Sequence, residues 1–319
     1  MCGWCCGAQN VCMRGRFAPS PTGPLHIGNL RTAVVAMLSA ASQQGDLIVR
    51  MEDLDPVTSS RSAEGAQLAD LAALGIDHRG PVVRQSERFE LYRDAIADLD
   101  SRGLVYRCFC TRREIRNAAS APNGPDLPDG AYPGTCRDLS AAAVRSYERE
   151  GRAGALRLRT AGESYRVDDL VAGRFTGGVD DVVLQRNDGV PAYNLAVVVD
   201  DHLQGVTEIV RGDDLLSCTP RQLHLQRLLG FRVPVYAHVP LVVGLDGARL
   251  AKRHGAVALA DLAARGVGVK RVVAMIAASI GLAELDDRPT LADLVPRFGW
   301  HLVPPTPWVL DIDQACGLV

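Results

Sequence analysis

Residues 16–29, Arg-Phe-Ala-Pro-Ser-Pro-Thr-Gly-Pro-Leu-His-Ile-Gly-Asn, constrain the fold more than any other stretch. Gly15 to Phe17 reads as a short strand, the prolines stiffen a turn, and a helix follows. Its apolar residues, Leu30, Ala33, Val34, Met37 and Leu38, fall at i, i+3, i+4, i+7 and i+8, so one helix face packs on a sheet. Gly45 is expected to stop it. Gly23, His26 and Gly28 therefore stand where a strand gives way to a helix N-terminus. Free backbone N–H groups and the helix dipole make such a place an anion site. Glycine lets a phosphate approach the backbone, and a histidine can donate to it. The competing reading is a plain structural turn.

Asp46 to Met51 is a buried-strand run, and Glu52-Asp53-Leu54-Asp55-Pro56 follows it. In open α/β sheets that edge carries ligands, although the acidic cluster and Thr58, Ser59 and Ser60 can equally cap the next helix. Helices with short turns are expected over 61–103, the last from about Glu87 to Arg102. Tyr106-Arg107-Cys108-Phe109-Cys110 then precedes a loop rich in Pro, Gly and Asp that ends in Tyr132-Pro133-Gly134-Thr135-Cys136. Cys-x-Cys on an extended backbone with a third cysteine suits zinc, because the intervening loop is too polar to form a core alone. Three buried structural cysteines are the alternative. A closed zinc site takes four ligands; His78 and His202 are remote in sequence, so spacing leaves the fourth open.

The remaining composition narrows the partners. Net charge is −2, so no global basic field announces a nucleic acid, yet a local arginine-lined groove would serve. Lys252 and Lys270 are the only lysines. No 18-residue apolar run suggests a membrane span, and no signal peptide is visible. A reducing, cytoplasmic setting is expected, with clustered thiols as metal ligands rather than bridges. Residues 1–12, which hold Cys2, Cys5, Cys6 and Cys12, have no helical or strand period. They read as a disordered or untranslated tail, with a metal site as the alternative.

Further on, a helix and a strand fit Leu139 to Leu158, and Tyr165 to Leu170 opens a strand-rich stretch. Asp180 to Arg186 reads as a strand closed by an Asn187-Asp188-Gly189 turn. Pro191-Ala192-Tyr193-Asn194, before the β-branched run Val197 to Val199, reads on its own as sheet filling. Arg211 precedes Gly212-Asp213-Asp214, and a surface salt bridge to either acid is its plain reading. Thr219 is expected to cap a helix through Leu229. Val235 to Val242 leads into Gly247-Ala248-Arg249-Leu250-Ala251-Lys252-Arg253-His254-Gly255, a mobile cationic loop or a solvated surface. Val269 to Leu282 is the clearest late helix.

Taken together these runs resemble class I aminoacyl-tRNA synthetases of the glutamyl branch. Residues 16–29 are similar to their HIGH-type signature, with Asn29 in place of the second histidine. Arg50-x-Glu52-Asp53-x-Asp55, Tyr193 with Arg211, and a KMSKS-like loop with Ala251 where serine is usual complete the likeness. The resemblance implies an α/β class I synthetase architecture: a Rossmann-like parallel sheet, a zinc-bearing insertion and a helical stem-contact-like region. The expected divisions are a tail at 1–12, catalytic half one at 13–104, the acceptor-binding-like insertion at 105–190, catalytic half two at 191–240, and the loop with the helical region at 241–319. Arg16, Phe17, Ala18, Pro19, Ser20, Glu52, Tyr193 and Arg211 would bind L-glutamate. Gly23, His26, Gly28, Asn29 and Lys252 would bind ATP with Mg²⁺, His26 and Lys252 acting in catalysis. A Tyr-x-x-x-Cys closure resembles the short glutamyl-queuosine tRNA(Asp) synthetases and makes Tyr132 the fourth zinc ligand beside Cys108, Cys110 and Cys136. The chain also stops where a full glutamyl synthetase would continue into an anticodon-binding domain. Short length and the Tyr132/Cys136 pattern thus imply queuosine-bearing tRNA(Asp) as the acceptor, and a monomer is expected. A minimal enzyme charging the 3′ end of tRNA(Glu), or a silent tRNA-binding relative, are the alternatives.

Overall fold

The computed structural model describes residues 12–118, 127, 130–250 and 257–311. Its centre is a five-stranded parallel sheet made of β1 (Arg14–Phe17), β2 (Asp46–Met51), β3 (Val83–Arg84), β9 (Glu208–Gly212) and β10 (Val235–Val239). Across the sheet the order is β10-β9-β1-β2-β3. Counted from β1, the chain winds outward through β2 and β3, then returns to the other side through β9 and β10. The direction reverses between β1 and β9, the crevice where doubly wound sheets bind ligands at their strand C-termini.

The linking helices are α1 (Ile27–Ser42), α2 (Arg61–Leu74) and α3 (Phe89–Ser101) in the first half, with α6 (Tyr193–Leu203) and α7 (Thr219–Leu228) in the second. Helix α1 begins at Ile27, three residues before the apolar stripe, and buries Leu30, Ala33, Val34 and Leu38 completely. Each buried Leu or Val side chain contributes roughly 1.5–3 kcal/mol. Gly45 is not the cap. That position falls to Gln43, and Gly45 instead lets the chain pass Met13, whose carbonyl oxygen would lie 2.4 Å from an added Cβ. Ser60 caps α2 by accepting the Ala63 N–H, and Gly75, at φ 81°, ends it in the left-handed conformation.

Between α3 and α6 the chain leaves the sheet. This segment carries β4 (Val105–Cys108), α4 (Arg112–Ala118), α5 (Ala141–Arg149), β5 (Ala155–Leu158), β6 (Ser164–Asp169), β7 (Gly173–Gly178) and β8 (Val183–Gln185). Strands β4, β5 and β8 form one antiparallel sheet, and β6-β7 is a hairpin. The hairpin end returns to the main sheet, with the Leu170 N–H donating to the Tyr236 carbonyl on β10.

Three sequence expectations need correction here. The run after Pro191 is helix α6, not sheet: Leu195 to Val199 are buried on every side in a core shared with α3, α7 and the insertion. Tertiary burial there overrides the strand preference of three successive valines. Thr219 is the first residue of α7 and makes no cap; its hydroxyl turns to Arg211 instead. The late helix, α9 (Val269–Ala278), ends before Leu282. It packs with α8 (Leu259–Ala264), α10 (Leu291–Leu294) and the small parallel pair β11 (Val242–Val243) and β12 (Trp308–Val309) into the core under α1 and α2.

Candidate active site and metal centre

One cleft of about 560 Å³ opens at the C-terminal edge of β1 and β9. Arg16, Phe17, Ala18, Pro19, Ser20, Gly23, His26, Gly28, Asn29, Glu52, Tyr193 and Arg211 all line it. Lys252 and Ala251 lie outside the described residues. The ends of their segment are fixed beside the cleft. Arg249 lines it, and the Val257 carbonyl accepts the Ile27 N–H at the mouth of α1.

That mouth differs from the open anion site expected. His26 is the N-cap, and its Nδ1 accepts the backbone N–H groups of Gly28 and Asn29 at 3.1 and 3.3 Å. With Ile27 bonded to Val257, the first N–H groups of the helix already have partners. A ring that accepts through Nδ1 carries its proton on Nε2, so His26 keeps one donor for a ligand. Burial, with Arg249 adding to it, holds the His26 pKa below its usual value and keeps the ring neutral.

Arg16 and Glu52, which line the cleft, join a chain of charged groups buried beneath it. Arg16 donates to the Val210 carbonyl and lies 3.7 Å from Asp201. Arg50, fully buried, reaches Asp201 at 2.8 Å, Glu52 at 3.3 Å and Asp200 at 3.8 Å. Asp200 in turn accepts from Arg88, Tyr92 and Gln85. Burial raises the Glu52 carboxyl pKa, and Arg50 and Arg16 work against that rise. Helix α6 thus supplies Tyr193 to the cleft from its first turn and the acids that seat Arg16 and Arg50 from its last. The sequence reading placed Arg50 only in the Arg50-x-Glu52-Asp53-x-Asp55 likeness and gave Asp200 and Asp201 no role. Adjacent acids ending a buried apolar helix, with an arginine inside a buried strand, were the signal available.

Arg211 lines the same cleft without any acid. Its Nε donates to His238 Nε2 at 3.0 Å, Nη1 to Gln222 Oε1 at 2.7 Å and Nη2 to Thr219 Oγ1 at 2.9 Å. The surface ion pair with Asp213 or Asp214 is not formed. Asp214 pairs with Arg249, and Asp213 accepts the Leu241 N–H. A buried guanidinium held only by neutral groups keeps its full charge for a carboxylate.

A second constellation lies in the insertion. Strand β4 ends in Cys108, and the Sγ atoms of Cys108, Cys110 and Cys136 lie within 4.8 Å of one another. Tyr132 Oη stands 3.3 Å from Cys108 Sγ and 3.6 Å from Cys110 Sγ, and the Cys136 N–H donates to it at 2.8 Å. Thiolates around one tetrahedral zinc at about 2.3 Å would sit roughly 3.8 Å apart, so these donors fit such an ion. Burial and the neighbouring thiols push Cys110 up to about 12 and raise the Tyr132 hydroxyl as well. Protons held that way are the ones a bound cation displaces. The Arg157 guanidinium lies over the Tyr132 ring at 3.7 Å, adding positive charge beside the sulfurs. His202 takes no part; it stacks on Phe231.

The sheet order, the insertion and the cleft at the point of reversal define the catalytic domain of a class I aminoacyl-tRNA synthetase. Residues 12–282 match the family model of class I tRNA synthetases (E and Q), catalytic domain. A glutamyl-Q tRNA(Asp) synthetase of Nocardia farcinica is 53% identical over 296 residues, covering 93% of this chain and 92% of the relative. One of Symbiobacterium thermophilum is 46% identical over 315 residues, covering 95% and 98%. The crystal structure of a glutamate-tRNA synthetase from Elizabethkingia anophelis superposes with a TM-score of 0.81 at 25% identity, over 95% of this chain and 69% of that one. The chain belongs to the glutamyl-Q tRNA(Asp) synthetase family.

Proposed function

We propose that the protein activates L-glutamate with ATP·Mg²⁺, without tRNA, and transfers the glutamyl group to queuosine at the wobble position of tRNA(Asp). The observation that carries the glutamate half is the acid-free Arg211 guanidinium in the same cleft as Glu52. A buried cation for the side-chain carboxylate and a buried anion for the ammonium match glutamate and mismatch glutamine.

In the first step a carboxylate oxygen of glutamate attacks the α-phosphorus of ATP. The P–O bond to pyrophosphate breaks, leaving glutamyl-adenylate. Arg16, Ser20, Glu52, Tyr193 and Arg211 hold the amino acid, and Phe17, Ala18 and Pro19 shape the floor. Gly23, Gly28 and Asn29 let the nucleotide approach the mouth of α1. His26 donates through Nε2 to the phosphates, and Lys252 stabilises the charge that builds on departing pyrophosphate. In the second step a hydroxyl of the queuosine cyclopentenediol attacks the activated carbonyl and AMP leaves. The anticodon loop would itself enter the cleft.

Cys108, Cys110, Tyr132 and Cys136 would hold one structural Zn²⁺, which would cross-link β4 to the loop behind it and take no part in the chemistry. A monomer satisfies every role named. Among the described residues no helix is long and apolar enough to cross a membrane. The test is ATP–pyrophosphate exchange without tRNA: glutamate should support it and glutamine should not. Exchange with glutamine at an equal rate, or none with glutamate, would overturn the reading.

A further inference from the structure

The neutral partner of Arg211 is itself fixed from outside the catalytic sheet. His238, on β10, is fully buried, and its Nδ1 lies 2.6 Å from Asp169 Oδ2. The backbone N–H of His238 donates to the same carboxylate at 3.0 and 3.1 Å. Asp169 closes β6, so it belongs to the hairpin that the insertion sends back to the sheet. Its carboxylate also accepts the Val171 and Ala172 N–H groups, which pins it in the hairpin turn.

We infer that Asp169 and His238 are positioning residues that set the direction of the Arg211 guanidinium and so the selectivity for an acidic side chain. An ionised carboxylate at Nδ1 takes a hydrogen bond only from an Nδ1–H, which leaves Nε2 bare. The bare Nε2 is the acceptor Arg211 Nε meets at 3.0 Å, with Thr219 Oγ1 at 3.2 Å beside it. In the other tautomer two N–H groups would oppose each other at that distance. A guanidinium has five N–H donors. The bonds to His238, Gln222 and Thr219 use one on each nitrogen and fix the plane, so the remaining Nη hydrogens meet the ligand at a set angle. The Leu215 carbonyl, 3.5 Å from Nη2, adds little to this. Tyr236, next but one on β10, lies with its ring nearly parallel to His238 and 5.5 Å beneath the guanidinium carbon, limiting tilt. The insertion therefore reaches the amino-acid pocket through a three-residue relay, Asp169 to His238 to Arg211.

This inference rests on the assignment of Arg211 to the side-chain carboxylate, and the test separates the two. The first measurement reads the intact relay of the wild-type protein. In the full-length wild-type chain labelled with ¹⁵N-histidine, the His238 imidazole, assigned by its loss in His238→Gln, should show Nδ1 protonated and Nε2 bare at neutral pH. Protonation on Nε2 would refute the relay whatever the substrate is. The second is exchange kinetics. Asp169→Asn can turn its amide N–H toward Nδ1 and favour the wrong tautomer. It should raise KM for glutamate roughly ten- to a hundredfold, the loss of one hydrogen bond to a charged group, with KM for ATP unchanged. His238→Gln keeps an acceptor near the Nε2 position without needing Asp169, so adding Asp169→Asn to it should change KM for glutamate less than twofold. Equal rises in both KM values, or the same penalty in both backgrounds, would overturn the relay and leave only a structural role. If wild type fails to exchange with glutamate, the substrate reading falls while the tautomer still decides the relay.

Discussion

Arg50 pairs with three acids, Asp200, Asp201 and Glu52, and replacing it with methionine should unfold the protein at lower temperature in a pH-dependent way. Methionine fills similar space but leaves Asp200, Asp201 and Glu52, at 3.8, 2.8 and 3.3 Å from the guanidinium, without that counter-ion. At an effective dielectric of about 20, one unit-charge pair near 4 Å is worth about 4 kcal/mol before desolvation. Removing one member of a buried ionic cluster costs about 3–5 kcal/mol net, which at about 2–4 °C per kcal/mol lowers Tm by roughly 6–20 °C. The pH dependence follows from Glu52. Its carboxyl pKa is already raised by burial and held back by Arg50 and Arg16; without Arg50 it climbs further. A carboxyl whose folded pKa exceeds its unfolded value weakens the fold as pH rises from the unfolded value, about 4.3, through the folded one. Below the unfolded value the penalty is absent. The Tm deficit of Arg50→Met against wild type should therefore be largest near pH 8 and shrink toward pH 5. Calorimetry across that range is the assay. A deficit under about 2 °C, or one that does not change with pH, would refute the reasoning.

Other substitutions read different parts of the molecule. Lys252→Ala should slow ATP–pyrophosphate exchange by a factor on the order of 10²–10³, the worth of one charge-stabilising donor, while an unchanged rate would remove the loop from the mechanism. Purified protein should carry one zinc per chain, and Cys108→Ser should lose it; full metal content in that variant would sink the four-ligand assignment. Gly45→Ala drives a Cβ to 2.4 Å from the Met13 carbonyl oxygen and should cost about 1–3 kcal/mol. Gly65→Ala, on an open face of α2 with nothing within 4 Å, should instead gain about 0.5–1 kcal/mol. Thermal melts of the two, which ought to move in opposite directions, check both.

Where the fold was legible, the sequence carried a periodic or stereochemical cause. The stripe from Leu30 to Leu38 demanded a helix on a sheet, and Asp46 to Met51 could be little but a buried strand. Helix α6 was not legible, because Val197 to Val199 prefer strands and only the surrounding core makes them helical. His26 was singled out as a phosphate donor, yet its part in capping α1 through Nδ1 depends on local backbone geometry that spacing does not encode. The cleft residues were found through a family likeness, since nothing in the isolated Arg211-Gly212-Asp213 run distinguishes a buried pocket cation from a surface ion pair. Asp169 and His238 lie 69 residues apart and meet only because a hairpin folds back onto β10. Contacts of that kind are set by topology, and one sequence offers no period from which to read them.

Labelled-glutamate transfer is the most direct test of the proposed activity. Purified tRNA(Asp) with queuosine, the same tRNA lacking it, and tRNA(Glu) should be offered in parallel with ATP and Mg²⁺. Label on the queuosine-bearing tRNA(Asp) alone is the expected result. Label on tRNA(Glu) would make the protein a charging enzyme for the 3′ end, and label on none of the three would contradict the assignment of a glutamyl-transferring enzyme.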